Sequence, residues 1–453
     1  MGAQFAFVEK YDKDLYEDYL VGLEKDSRLR VDTCAHDLRC ALERLVKLVM
    51  QKCNVDDNDL RDAYREIAKG DRKNKWDLAN KMAALNAPVI WKKLGRKTSP
   101  LPAVSQTRLL YQNGEYKFEN AYEGLRNFGN AGSHDGQIRR NEPRLTYDNL
   151  VHCLAKLHDL LKSFFNAKEA APFNADLMDI GEYSITESLG NPSDGKRTRC
   201  MHEYLGVRES GARGAIRYAI LRQYLRGDVT EELLKHNMDF RDAVTEDDPD
   251  DAPRGLIRDV RLLEAGVSEF SIVAYEFRHK PLRLRDALPQ LSQEERLQLC
   301  GEIATCFQEL HARKPAFYHR LLTHESVYVC DLGKDGVHKW RPYIKFDFGK
   351  IMTGDANFTV LGDALRAKDR VREKEVEKYI SMDAWDQQDW EYADCWALSV
   401  LFGDILCGEI RSRVAEMSDI EKAGYGQEIA EMVDDLMRGT VGVGEAVAVL
   451  SGE

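Results

Sequence analysis

The sequence predicts a multi-domain chain: an all-α helical bundle followed by an α+β domain of two lobes. Three observations carry this. Leucines recur at helical spacing through much of the first 166 residues. After that the pattern turns to short runs rich in β-branched and aromatic residues, and later returns to helices, a strands-then-helices layout. The charge also divides: residues 1–170 carry a net +4 and the remainder −16, of a total of −12. At 453 residues the chain is long for one ordinary core.

In the first part, residues 34–53 place Leu38, Leu42, Leu45, Val46 and Val49 on one helical face. Shorter helices are expected over 58–69, 76–86 and 118–128. The two prolines of GRKTSPLPA make 95–103 a loop. Residues 146–166 form an amphipathic helix with Leu150, Leu154, Leu157, Leu160 and Leu161 inward. The stretch around AKEAAPFNAD reads as a linker. The expected boundaries are a helical domain over 1–168, a linker over 169–177 and a second domain over 178–453.

In the second part, EYSITESLG, CMHEYLGV, IRYAILRQY and SIVAYEF read as strands. Residues 239–251 hold seven acidic side chains and one Arg, and read as a solvated loop. From about residue 286 helices dominate.

Composition excludes several classes. With 43% hydrophobic residues, 31% charged, 12 prolines and 32 glycines, the chain is neither collagen-like nor largely disordered. No apolar run is long enough to span a membrane, and the start has no apolar signal core, so a cytoplasmic protein is expected. The ten cysteines form no CxxC, so reduced thiols and no structural metal are expected.

The order of landmarks in 180–440 resembles the protein kinase family. Asp347, Phe348 and Gly349 look like its magnesium-binding DFG motif. AFYHRLLTHESVYV is similar to the catalytic loop: His319, Arg320 and Leu322 match, Leu321 stands where the catalytic Asp belongs, and Ser326 where the metal-binding Asn belongs. Asp394 and Trp396 fall in register with the later DxW helix. Asp259 falls where the family's helix C offers Glu. Leu221 or Arg222 takes the place of the phosphate-pairing lysine. Gly190 and Gly195 are present, but a full glycine-rich loop is not. The resemblance implies a two-lobed kinase-like fold, with ATP and Mg²⁺ as the cofactors its cleft would take, through Asp347, Ser326 and Arg222. Leucine can neither accept a proton nor orient a hydroxyl, which phosphoryl transfer requires. The expectation is therefore a pseudokinase. Glu325, Asp331 and His324 are the nearby groups an atypical active kinase would have to recruit.

The segment GLRNFGNAGSHDG, together with DLRCALERLVKLVM, resembles the HEPN superfamily and its DUF4145 and abortive-infection-like members. That resemblance implies a metal-independent ribonuclease site of Arg126, Asn130 and His134. His134 would transfer protons and Arg126 would stabilise charge on the attacked phosphate. Asn130 would position the 2′-hydroxyl or a phosphate oxygen. Seven residues separate Arg126 from His134, more than is usual; if the segment is helical, all three still share one face. The resemblance also implies a homodimer through the helical domain, with RNA (tRNA or mRNA) as partner. Lys92, Lys93, Arg96, Lys97, Arg139 and Arg140 are candidate phosphate contacts. The same residues fit a structural or dimerising module. His36, His152 and His158 are expected to be packed or on the surface, and Trp76 and Trp91 to be core anchors.

Three readings follow. One is a HEPN-type ribonuclease, toxin or RNA-binding module regulated by a degraded kinase-like domain that receives a protein trigger, in bacterial anti-phage defence. The second is a non-enzymatic dimeric scaffold whose pseudokinase binds nucleotide or a partner. The third is an atypical Ser/Thr kinase.

Overall fold

The computed structural model describes residues 4–67, 81, 84, 87–93, 110–112, 115–117, 147–193, 200–210, 214–225, 254–263, 270–314, 316–320, 322–334, 337–345, 350–351 and 377–452. Two compact units emerge: the first runs to Glu187 and includes Phe270, and the second holds the remainder.

The first unit is built on helices. Helix α1 (Val31–Cys53) begins three residues before the expected start. All five of its predicted apolar positions are buried. Asn54, in the left-handed region at φ 50°, ends it by donating its N–H to the carbonyls of the last turn. Helix α2 (Asp57–Ile67) follows, and α3 (Tyr147–Phe165) packs on α1. Leu150, Leu154, Leu157, Leu160 and Leu161 of α3 all lie in the same core as the α1 leucines. Three short helical pieces, Lys13–Leu15, Tyr16–Leu20 and Val21–Asp26, precede α1. Asp12 caps the first by accepting the Leu15 N–H at 2.7 Å. A two-stranded hairpin pairs Leu110–Gln112 with Glu115–Lys117.

The expected linker is instead part of this unit. Arg28 is buried, and its guanidinium donates to the carbonyls of Met178 (3.0 Å) and Ala175 (2.6 Å). Met178 joins the helical core. The backbone N–H of Gly181 bonds the Lys25 carbonyl at 2.8 Å. The boundary therefore falls near residue 187, because one buried arginine satisfies carbonyls that a linker would leave to water.

The second unit combines two sheets with a helical half. A five-stranded sheet has the order β1-β2-β3-β5-β4, from β1 (Ser184–Gly190), β2 (Cys200–Ser210), β3 (Ala215–Leu225), β4 (Val260–Leu263) and β5 (Phe270–Phe277). A three-stranded sheet has the order β8-β7-β6, from β6 (Pro281–Arg283), β7 (Val327–Asp331) and β8 (Trp340–Ile344). Its strand pairs are antiparallel. The helical half contains α4 (Gln293–His311), α5 (Trp390–Cys407), α6 (Gln427–Arg438) and α7 (Val443–Ser451). A Ser292–Glu295 capping box starts α4. Helix α5 is buried along nearly its whole length, with apolar residues all round it and Asp394 and Asp404 buried among them, rather than striped. All ten cysteines are free thiols. Among the described residues no helix is long and apolar enough to cross a membrane.

Candidate functional site in the second unit

The loop after α4 is held from beneath by a carboxylate. Asp394 has no exposed surface, and α5 aims it at the loop backbone. Its two oxygens accept the N–H groups of His319 (2.8 Å) and Arg320 (2.6 Å). His311, at the end of α4, places Nε2 3.1 Å from the same carboxylate. The grip holds Arg320 in the left-handed region at φ 68°, a conformation that costs a non-glycine residue about 1–3 kcal/mol. The Arg320 guanidinium lies 3.8 Å from the centre of the Trp390 ring. Burial lowers its pKa to about 10, against the pull of Asp394. His319 donates from Nε2 to the Lys345 carbonyl at 2.8 Å, tying the loop to the strand end after β8. His319, Arg320 and Asp394 are thus brought together, and Leu322 is buried in the core of the helical half. Leu321 and Asp347 lie outside the described residues.

A second group lies where the two sheets meet. Glu203 on β2 stands opposite Arg222 on β3. Both are fully buried, with Arg222 Nε 2.8 Å from Glu203 Oε1. Arg283 on β6 reaches the other oxygen at 2.9 Å, and the Tyr328 hydroxyl on β7 donates to Oε1 at 3.1 Å. Burial raises the Glu203 pKa, while Arg222 and Arg283 act against it. Strand alternation sets the two neighbouring positions apart: Arg222 shares the face of Ile220 and Tyr224 in the inter-sheet core, and Leu221 points the other way. The carboxylate facing Arg222 is Glu203. Asp259, expected at the end of a helix, instead lies on irregular chain entering β4, exposed and 3.8 Å from Arg217.

A third group bridges the turn after β1 to the same loop. The Ser193 N–H donates to Glu325 Oε1 at 2.9 Å. His324 Nε2 lies 3.4 Å from that oxygen and 3.3 Å from Arg285 Nη2. Burial alone would push Glu325 up. The His324 hydrogen bond and charge, with the Ser193 contacts, outweigh burial and hold the carboxyl well below the ordinary range. The hydroxyl of Ser326 accepts the Thr323 N–H at 3.3 Å and so closes its own turn. Asp331 is a hairpin residue, taking the N–H groups of Gly333 and Lys339 and the His338 ring.

Of the three residues through which the kinase resemblance implies ATP and Mg²⁺, Arg222 and Ser326 are described and Asp347 is not. Arg222 is taken by Glu203, Ser326 by its own turn and Glu325 by Ser193. Among the described residues no group of three or more His, Cys, Asp or Glu side chains is placed to hold a metal ion. Glu203, Arg283 and Tyr328 were not singled out from the sequence. The available signal was a charged residue inside each of two strands, Glu203 next to Tyr204 and Arg222 next to Leu221.

In the first unit, Arg126, Asn130 and His134 lie outside the described residues, as do Trp76, Arg96, Lys97, Arg139 and Arg140. Lys92 and Lys93 are exposed at the end of a short helix, Pro88–Lys93. His36 and His152 are exposed, and His158 is buried among Phe5, Phe7 and Phe173. No family model matches the chain, and no curated protein matches it.

Proposed function

We propose that the second unit is a kinase-like regulatory module that transfers no phosphoryl group, coupled to a HEPN-like helical module that cleaves or binds RNA. The observation that carries the first half is the Asp394 carboxylate gripping the His319 and Arg320 backbone, with His319 bonded to the Lys345 carbonyl. That arrangement supports a catalytic-loop register in which Leu321 occupies the acid's position. A loop so registered lacks the carboxylate that orients and deprotonates a substrate hydroxyl. Support for the second half is the packing of α1 against α3, the two helices that flank the Arg126, Asn130 and His134 segment in sequence. The chemistry proposed there is attack of a 2′-hydroxyl on the adjacent phosphate, in a cytoplasmic homodimer serving bacterial anti-phage defence and released by a protein trigger.

Two assays test the two halves separately. Purified protein incubated with labelled ATP and generic substrates is expected to transfer no label; robust transfer lost in Asp347→Ala would overturn the first half. Expression is expected to degrade cellular RNA or arrest growth, and His134→Ala to abolish this. Intact RNA under every trigger tried would remove the second half and leave the dimeric scaffold reading.

A further inference from the structure

Residues 4–8 lie on the first unit as a strap. Phe5 and Val8 are fully buried in its helical core. The buried His158 ring, on α3, meets Phe5 at 5.6 Å and Phe7 at 5.1 Å between ring centres. The side-chain carbonyl of Gln4 accepts the Asn174 N–H at 2.9 Å. The remaining fastening is a carboxyl. Glu24 is 1% exposed, and its two oxygens accept the backbone N–H groups of Gln4 and Phe5. Among the described residues it is in no ion pair. The charged or titratable groups around it are Asp179, itself buried, Lys25 and Tyr16. Asp179 disfavours a second charge and Lys25 favours one. Lys25 and the amino terminus favour the charge on Asp179, as does the Ser184 hydroxyl that donates to it at 3.2 Å. A carboxyl withdrawn from water beside another carboxyl keeps its proton to higher pH. Burial, aided by Asp179, raises the Glu24 pKa to about 7 against the pull of the two N–H groups.

We propose that residues 4–8 are a proton-locked strap: protonated Glu24 holds them down on the helical core, and loss of that proton loosens them and uncovers the apolar seat of Phe5 and Val8. The sign follows from where the proton is held more tightly. With the strap open, Glu24 meets water and ionises at its ordinary 4.5; with the strap closed it does so near 7. Closure is therefore favoured most below about pH 4.5 and weakens as pH rises through 7. His158 acts in the opposite sense. Burial lowers its pKa from 6.5, with Asp159, Lys162 and the Gln4 backbone beside it, so acid loosens the strap from the α3 side. The inference is independent of the RNA and kinase readings.

The test is native-state hydrogen exchange of the full chain at pH 5 and pH 8, each amide corrected for its intrinsic rate. Wild type is compared with Glu24→Gln, which keeps the acceptor oxygen and cannot ionise. Dividing wild-type protection by that of the Gln variant removes the His158 contribution, which both chains share. For the Phe5 and Val8 amides this ratio should fall roughly 70-fold from pH 5 to pH 8, the linkage expected of a carboxyl that titrates at 4.5 when open and about 7 when closed. These amides should also exchange with little dependence on added denaturant, because opening a strap exposes little surface, whereas those of Leu42 and Leu45 in α1 should show a steep dependence. Asp179→Asn, placed in both chains, removes the carboxyl that opposes ionisation and should shrink the fall. A fall of less than about tenfold, an undiminished fall with Asp179→Asn, or strap amides that share the denaturant dependence of α1 would each overturn the proposal.

Discussion

Replacing Asp394 by Ala removes both acceptors from the His319 and Arg320 amides. Each bond is charge-assisted, short and buried, at 2.8 and 2.6 Å, and each is worth about 2 kcal/mol net. Their sum is about 4 kcal/mol. The strained backbone at Arg320, φ 68°, then has nothing to hold it and relaxes toward the right-handed region. Global melting is a poor readout of a local loop opening. Native-state hydrogen exchange reads the loop directly, since local opening is governed by its own free energy. About 4 kcal/mol corresponds to a roughly 10³-fold loss of amide protection at residues 319 and 320. Asp394→Asn keeps one acceptor and should lose roughly half as much on the logarithmic scale. Protection that changes less than about tenfold in the Ala variant would refute the claim that Asp394 holds this loop.

Three further outcomes are expected. Burial raises the Glu24 pKa from 4.5 to about 7 despite the N–H groups of Gln4 and Phe5, and Asp179 adds to the rise. Its contribution to stability is therefore full below about pH 4.5 and lost as pH rises through 7, a change of about 3 kcal/mol. Glu24→Gln should flatten that slope in denaturant titrations at pH 5 and pH 8, and an unchanged slope would count against it. Lys378→Met removes the ammonium 2.6 Å from the fully buried Asp404 and should cost about 3 kcal/mol of unfolding free energy in denaturant titration; Lys378→Met with Asp404→Asn should recover most of it. A Cβ on Gly403 would lie 2.8 Å from the Ala415 Cβ, so Gly403→Ala should destabilise by about 1–3 kcal/mol, and Ala415→Gly in the same chain should relieve the loss.

Local pattern made part of this molecule readable. The leucines of α1 and α3 each lie on one stripe, and burial follows that stripe. The strands around residues 184–190, 200–210, 215–225 and 270–277 carry the apolar and aromatic runs that mark strands. The helical pieces over 13–26 were not anticipated. Their π-turn at Tyr16–Leu20 shifts the helical register, so no single stripe runs through them. The stretch 169–177 read as a linker because it holds a proline and no helical or strand repeat; the buried Arg28 that organises it lies about 150 residues away in sequence. The Glu203 cluster was hidden for the same reason, since Arg283 is 80 residues away and Tyr328 is 125. Asp394 was singled out in the sequence, but its grip on the Arg320 backbone depends on a contact 74 residues distant. Non-local polar contacts leave no periodic trace.

The all-round burial of α5 sets a timetable for the chain's synthesis. A helix buried nearly all round must be covered by its neighbours, and α4 and α6 provide cover. Helix α7 then packs back on α4, where a Cβ on Gly301 would sit 3.8 Å from the Leu450 Cβ. The helical half is therefore incomplete until residues some 150 positions beyond the start of α4 have been made, an interval of roughly 10 to 30 s at ordinary translation rates. Helix α5 itself ends at Cys407 and α6 at Arg438, so its own apolar surface waits for its cover through about 30 residues, roughly 2 to 6 s. Holding it soluble then falls to chaperones, and synonymous changes that slow translation between α5 and α7 would lengthen their task.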